Sequence, residues 1–266
     1  ETHTGIIRNI YIRKGTYSGE IMVCIVVRKD ISRQLAGLCR KITGKFPDVK
    51  SIVMNINSEK TNVILGEKCV LLYGSDRISD IMCGNKINIS PLSFYQVNTL
   101  QAERLYAKAL EYAAPEKENV IADLYCGTGT IGLSMTDSAG KIIGIEIIPQ
   151  AIENAWENAR INNIHNAEFY CGDAGEVFKD LLEKGYSPDI IVVDPPRKGC
   201  SAKTISIIAQ TAPEQIIMIS CNPATAARDA KILSEYGYTT VKVAGCDLFP
   251  RTKHVECVVL LSKVQN

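Results

Sequence analysis

The sequence is 266 residues long, 46% hydrophobic and has a formal net charge of +1, enough to bury one large core or to divide into a larger and a smaller domain; two are expected. No stretch approaches eighteen consecutive apolar residues and residues 1–14 lack the apolar segment of a secretion signal, so a cytoplasmic, monomeric protein without a membrane partner is expected. Ten scattered cysteines with no Cys-x-x-Cys pair point to buried free thiols and to no metal site.

Residues 1–92 hold 14 Lys/Arg against 8 Asp/Glu, whereas residues 93–266 hold 16 against 21. A basic module joined to an acidic one suits a phosphate-bearing partner gripped by the first. The chain opens at Glu1 and runs within a few residues into strand-like sequence, as a piece of something longer would.

In chain order, residues 5–27 read as two strands around the turn Lys14-Gly15-Thr16-Tyr17-Ser18-Gly19, a hairpin signal. Ile31, Leu35, Leu38 and Ile42 fall at helical spacing, with Arg33, Arg40 and Lys41 off that stripe. Short strands are predicted around 51–57, 62–72, 78–82 and 86–90, completing an α+β module over residues 1–92. After Pro91 the pattern changes. Asn98 and Gln101 form a helix start of capping-box type, and Ala102, Leu105, Ala109 and Ala113 carry that helix to Pro115. Strands are then predicted at 120–124, 141–147, 167–171, 189–193, 215–220, 239–244 and 255–261, with helices between the first six. In the second of those helices Ile148, Ile152, Ala155, Trp156 and Ala159 make one apolar face, so Trp156 is expected in the core. Strand–helix alternation with apolar strands means α/β, a mostly parallel sheet covered on both sides, over residues 93–266.

The first of these strands runs into Asp123-Leu124-Tyr125-Cys126-Gly127-Thr128-Gly129-Thr130-Ile131-Gly132, and the next ends in Gly144-Ile145-Glu146. The G-x-G-x-x-G pattern alone would suit a dinucleotide, because glycines bring backbone N–H groups up to a pyrophosphate. The carboxylates of Asp123 and Glu146 suit a cationic sulfonium ligand better, which favours S-adenosylmethionine.

Four further clusters follow in order: Phe94-Tyr95-Gln96-Val97-Asn98; Asp194-Pro195-Pro196-Arg197-Lys198-Gly199; Ser220-Cys221-Asn222-Pro223-Ala224-Thr225; and His254-Val255-Glu256. Together they closely resemble the RNA (uracil-5-)-methyltransferase family, over essentially the whole chain. The resemblance implies a Rossmann-like class I methyltransferase domain with a seven-stranded sheet whose last strand is antiparallel. It implies S-adenosylmethionine as cofactor, contacted by Gln96, Tyr125, Glu146 and Asp194, with Gly127 and Thr130 in the loop and Asp173 approaching the adenine. Family members often carry an N-terminal RNA-binding barrel, and some an iron–sulfur cluster; neither is visible here. The partner implied is RNA, either 23S rRNA or tRNA, and D-P-P-R-K-G looks more like the ribosomal members.

Placement supports the same grouping. Ligands of open parallel sheets sit beyond the carboxyl ends of the strands, and Tyr125, Glu146, Asp173, Asp194 and Cys221 all fall at or just after such ends. Glu256 joins them if the last strand is antiparallel. Carbon 5 of uracil is a poor nucleophile until a thiolate adds at carbon 6, which suits Cys221, and the carbon 5 proton must then be removed, which suits Glu256. Arg197 is expected to hold a phosphate or an anionic ring oxygen, with His254 a neighbour rather than a base. Phe94 or Tyr95 is a candidate for stacking on a base, and Arg33, Arg40, Lys41 and Lys45 are candidates for phosphate contacts. The rival readings are a cytosine-5 RNA methyltransferase, which uses the same cysteine addition, a nicotinamide-dependent oxidoreductase, and a non-catalytic RNA-binding module. The oxidoreductase leaves D-P-P-R-K-G and S-C-N-P-A-T without purpose, and the intact Cys221 and Glu256 argue against the non-catalytic module.

Overall fold

A computed structural model of the chain describes residues 5–264. It divides into two compact units, one reaching Ile81 and including Lys86–Tyr95, the other made of Met82–Asn85 and the chain from Gln96 onward.

In the first unit β1 (Ile7–Lys14) and β2 (Ile21–Val27) form the expected hairpin, Lys14 pairing with Ile21. Helix α1 (Ser32–Lys45) crosses to β3 (Val49–Ile56), which runs parallel to β2, and β4 (Lys68–Gly74) returns antiparallel. The sheet order is therefore β1-β2-β3-β4. Leu35 and Cys39 of α1 pack on Val23, Ile25, Ile52 and Met54. Leu38, predicted on that stripe, is instead 42% exposed, because the buried face steps from Leu35 to Cys39.

The strand predicted from residue 62 begins only at Lys68. Asn57 donates its side-chain amide to the carbonyls of Val63 and Ile64, and Asn55 both donates to and accepts from Gly66. Side chains thus take the backbone groups that strand pairing would use. β5 (Ile78–Met82) and β6 (Asn85–Ile89) close a second hairpin, whose turn residues Cys83 and Gly84 both adopt positive φ, as a two-residue type I′ turn requires.

The second unit begins with α2 (Thr99–Ala113), capped by the Asn98 side chain, which accepts from the Gln101 N–H. There follow β7 (Val120–Leu124), α3 (Thr130–Ser134), β8 (Lys141–Glu146), α4 (Pro149–Ile161), β9 (Ala167–Cys171), α5 (Ala174–Glu183), β10 (Ile190–Val193), α6 (Ala202–Thr211), β11 (Gln215–Ser220), α7 (Pro223–Ser234), β12 (Tyr238–Cys246) and β13 (Glu256–Lys263). The seven-stranded sheet has order β12-β13-β11-β10-β7-β8-β9, parallel from β11 to β9, with β13 antiparallel to both β11 and β12. This is the Rossmann-like α/β architecture expected. Apolar strand residues such as Ile143, Ile191, Val193 and Ile216 are buried against Phe178, Ile205 and Leu233 of the covering helices.

Trp156 departs from its predicted core place. It is 46% exposed and meets Phe169 edge-on at 5.4 Å, because the buried face of α4 runs through Ile152, Ala155 and Ala159. Ile148 precedes the helix and is also exposed. The cysteines among the described residues are free, but Cys69 and Cys171 are exposed and Cys83, Cys221 and Cys246 only partly covered, so burial is not general. Among the described residues no helix is long and apolar enough to cross a membrane.

Candidate active site

The loop after β7 is built by backbone strain and one buried carboxylate. Tyr125, Gly127 and Gly129 all adopt left-handed φ (71°, 56° and 80°). A Cβ on Gly129 would press on Phe169 and Ala155, so glycine is required there. Asp123, fully buried at the end of β7, accepts the Gly132 N–H of α3 at 2.9 Å, while its other oxygen is buried without a hydrogen-bond partner. Burial, reinforced by the charge of Glu146, pushes its carboxyl up to about 7 against the Gly132 bond. Glu146, ending β8, accepts the N–H groups of Gly127 (3.2 Å) and Ile148 (3.0 Å). The loop thus closes on one carboxylate and is held from beneath by another.

The remaining predicted cofactor residues surround this loop within the second unit. The Tyr125 hydroxyl forms a hydrogen bond with the Thr204 hydroxyl of α6 at 2.9 Å. Asp173 is the N-cap of α5, one oxygen accepting from Gly175 and Glu176, so capping accounts for part of its role. Gln96 and Thr130 both lower the ionisation midpoint of Tyr106, a buried α2 residue that also feels the charge of Asp194. Sequence reasoning missed Tyr106 and Thr204, which carry no motif. Asp194 follows β10, and burial, with Glu256 and Asp123 adding, pushes it up to about 8. Glu146, Asp173 and Asp194, each at or just after a strand end, make an acidic lining that suits a cationic ligand better than a pyrophosphate.

Cys221 follows β11 and Glu256 begins β13. The register pairs Ser220 with Cys257, so one further step sets Cys221 opposite Glu256. Glu256 is 6% exposed and its carboxyl is raised by burial, with Arg197 opposing. The Cys221 thiol is raised by burial, then by Glu256 and Asp194, and lowered by Arg197.

Four further hydrogen bonds hold the segments together. The Arg197 carbonyl accepts from the Asn222 amide at 3.1 Å and the Thr225 hydroxyl at 3.4 Å. Arg228 donates to the Lys198 carbonyl at 2.9 Å, and buried Asp229 accepts the Cys200 N–H at 2.8 Å. Arg228 and Asp229 were also missed, since an Arg-Asp step inside a helix looks like solvated surface.

The other predicted residues belong to the first unit. Arg33, Arg40, Lys41 and Lys45 are exposed on α1. Phe94 is 72% exposed, whereas the Tyr95 hydroxyl donates to Asp80, which favours Phe94 as the free ring.

The family model described as tRNA (Uracil-5-)-methyltransferase matches residues 14–264. An uncharacterized RNA methyltransferase of Clostridium tetani is 45% identical over 260 residues, covering 98% of this chain and 56% of the relative, and one of Bacillus cereus is 45% identical over 266 residues, covering 100% and 58%. The solved Pyrococcus abyssi tRNA (uracil-54, C5)-methyltransferase, in complex with S-adenosyl-L-homocysteine, superposes with a TM-score of 0.80 at 31% identity, covering 97% of this chain and 60% of that one. The chain therefore spans less than two thirds of the length of these proteins, and on the match across residues 14–264 it belongs to the tRNA (uracil-5-)-methyltransferase family.

Proposed function

We propose that the whole protein methylates carbon 5 of a uridine in RNA from S-adenosylmethionine, with Cys221 as covalent nucleophile and Glu256 as base. The observation that carries this reading is the register that sets Cys221 opposite Glu256 at the sheet edge where Asp194 also lies. Gln96, Tyr125, Gly127, Thr130, Glu146, Asp173 and Asp194 would hold the cofactor, which supplies an electrophilic methyl group when bound.

The target base must first leave its stack, since carbon 6 cannot be reached within a paired helix. The Cys221 thiolate then adds at carbon 6, and the electrons of the 5,6 double bond move toward the ring carbonyl, making carbon 5 nucleophilic. Once carbon 5 carries the methyl group, Glu256 takes its remaining proton, the double bond re-forms and the thiolate leaves. The raised Glu256 carboxyl is a stronger base than an exposed one, as this step requires. Exposed Phe94 would stack on a base, and Arg33, Arg40 and Lys41 would contact phosphates.

Between the two RNA classes, the likeness of D-P-P-R-K-G to ribosomal members favours a uridine of 23S rRNA over tRNA. The test maps 5-methyluridine in both RNAs from cells with and without the gene. Loss of one 23S rRNA site is expected. Loss of a tRNA site alone would reassign the substrate, and a lost 5-methylcytidine would favour the cytosine reading.

A further inference from the structure

Addition at carbon 6 takes a thiolate, yet Cys221 stands among groups that oppose one. Burial and the carboxylates of Glu256 and Asp194 raise its ionisation, and Cys257 on the neighbouring strand lies close enough to feel its charge. The counterweight is one side chain. The Arg197 guanidinium is the cation that lowers the ionisation midpoint of both the Cys221 thiol and the Glu256 carboxyl.

Its placement is built from two sides. The Arg197 backbone is clamped through its carbonyl by Asn222 and Thr225, the residues that follow the nucleophile. Its Nη2 lies 3.4 Å from His254 Nδ1, and the His254 ring packs edge-on to Phe249 at 6.4 Å. A guanidinium only donates, so this contact requires Nδ1 to accept, with the imidazole neutral and its proton on Nε2.

We propose that Arg197 is the cation that stabilises the Cys221 thiolate, and that His254 is a positioning residue holding the guanidinium against the sulfur. The proposal rests on Cys221 being the nucleophile. On ionisation the S–H bond breaks, the proton passes to water and the sulfur keeps the electron pair, whose charge the guanidinium balances. The groups facing Arg197 are Cys221, Glu256 and His254, with Asp194 facing the thiol. Glu256 and Asp194 gain negative charge as pH rises and oppose ionisation.

The experiment follows iodoacetamide alkylation of Cys221 in the full chain by peptide mass spectrometry across pH, without RNA or cofactor. The nine other cysteines serve as internal controls for folding. Arg197→Gln should raise the apparent ionisation midpoint by about one unit and slow alkylation about tenfold at pH 7. His254→Ala should slow it severalfold, and His254→Asn, whose carbonyl oxygen also accepts, should restore most of the rate. An unchanged midpoint in Arg197→Gln overturns the role of Arg197. His254→Ala matching the unmutated protein, or His254→Asn as slow as His254→Ala, overturns that of His254. If these shifts appear while the unmutated protein methylates no RNA, the proposed activity fails and the thiolate pair stands.

Discussion

The Asn222 side chain donates to the Arg197 carbonyl at 3.1 Å, so the segment carrying Cys221 holds the segment that follows Asp194. Gly199 completes this junction with φ of +81°, and a Cβ there would collide with the side chains of Arg228 and Asp229. Gly199→Ala should therefore destabilise the protein by about 2 kcal/mol or more, combining left-handed strain with the displaced pair. Urea titration checks it. A change below about 0.5 kcal/mol would mean that the loop rearranges freely.

The roles of Cys221 and Glu256 separate cleanly in a trapping assay. Cys221→Ala should abolish both methylation and any covalent protein–RNA complex. Glu256→Gln keeps the nucleophile but removes the base, so addition proceeds, elimination stalls and a denaturant-stable complex accumulates on a gel. RNA carrying 5-fluorouridine should trap the unmutated protein likewise, because fluorine does not depart as a proton does. Trapping by Cys221→Ala, or normal turnover by Glu256→Gln, would remove that residue from its role.

The cofactor reading predicts micromolar binding of S-adenosylhomocysteine and no heat with nicotinamide dinucleotides. Glu146→Ala should weaken that binding at least tenfold, because the loop loses the acceptor for Gly127 and Ile148 together with the carboxylate proposed to face the ligand. Calorimetry decides it; tight dinucleotide binding would reverse the assignment.

Asp123 and Asp194 give the ligand-free protein a pH dependence of definite sign. Their carboxyls rise on folding from near 4 to about 7 and about 8. Their stabilising share is thus complete below pH 4 and is lost as pH rises through these values. Thermal midpoints should fall between pH 5 and 8.5, and Asp194→Asn should flatten that fall. A profile with the same slope in Asp194→Asn would show that Asp194 ionises freely.

Exposed cations on α1 should give salt-sensitive RNA binding. Each phosphate contact removed, by neutralising Arg33, Arg40 or Lys41, should flatten the slope of log affinity against log salt by about 0.7 to 0.9. Unchanged affinity and slope would place the grip elsewhere.

Much of this was readable from order and spacing. The alternation of apolar strands with helices set the seven strands within a residue or two, and Asn98 capped its helix as its side chain predicts, because these features depend on neighbours close in sequence. The motifs named Cys221, Glu256, Asp194 and Glu146 as candidates, since chemistry restricts residue type. Partners distant in sequence were not legible. Leu38 and Trp156 lie off their buried stripes by one position, a rotation that only packing against a sheet fixes. Residues 62–67 have strand-forming composition, yet Asn55 and Asn57 claim their backbone. Tyr106, Arg228 and Asp229 carry no motif, and they gain meaning only when folding brings them against Gln96, Lys198 and Cys200. The raised carboxyls of Asp123 and Asp194 likewise come from tertiary burial, because desolvation depends on what surrounds a group and not on its place in the chain.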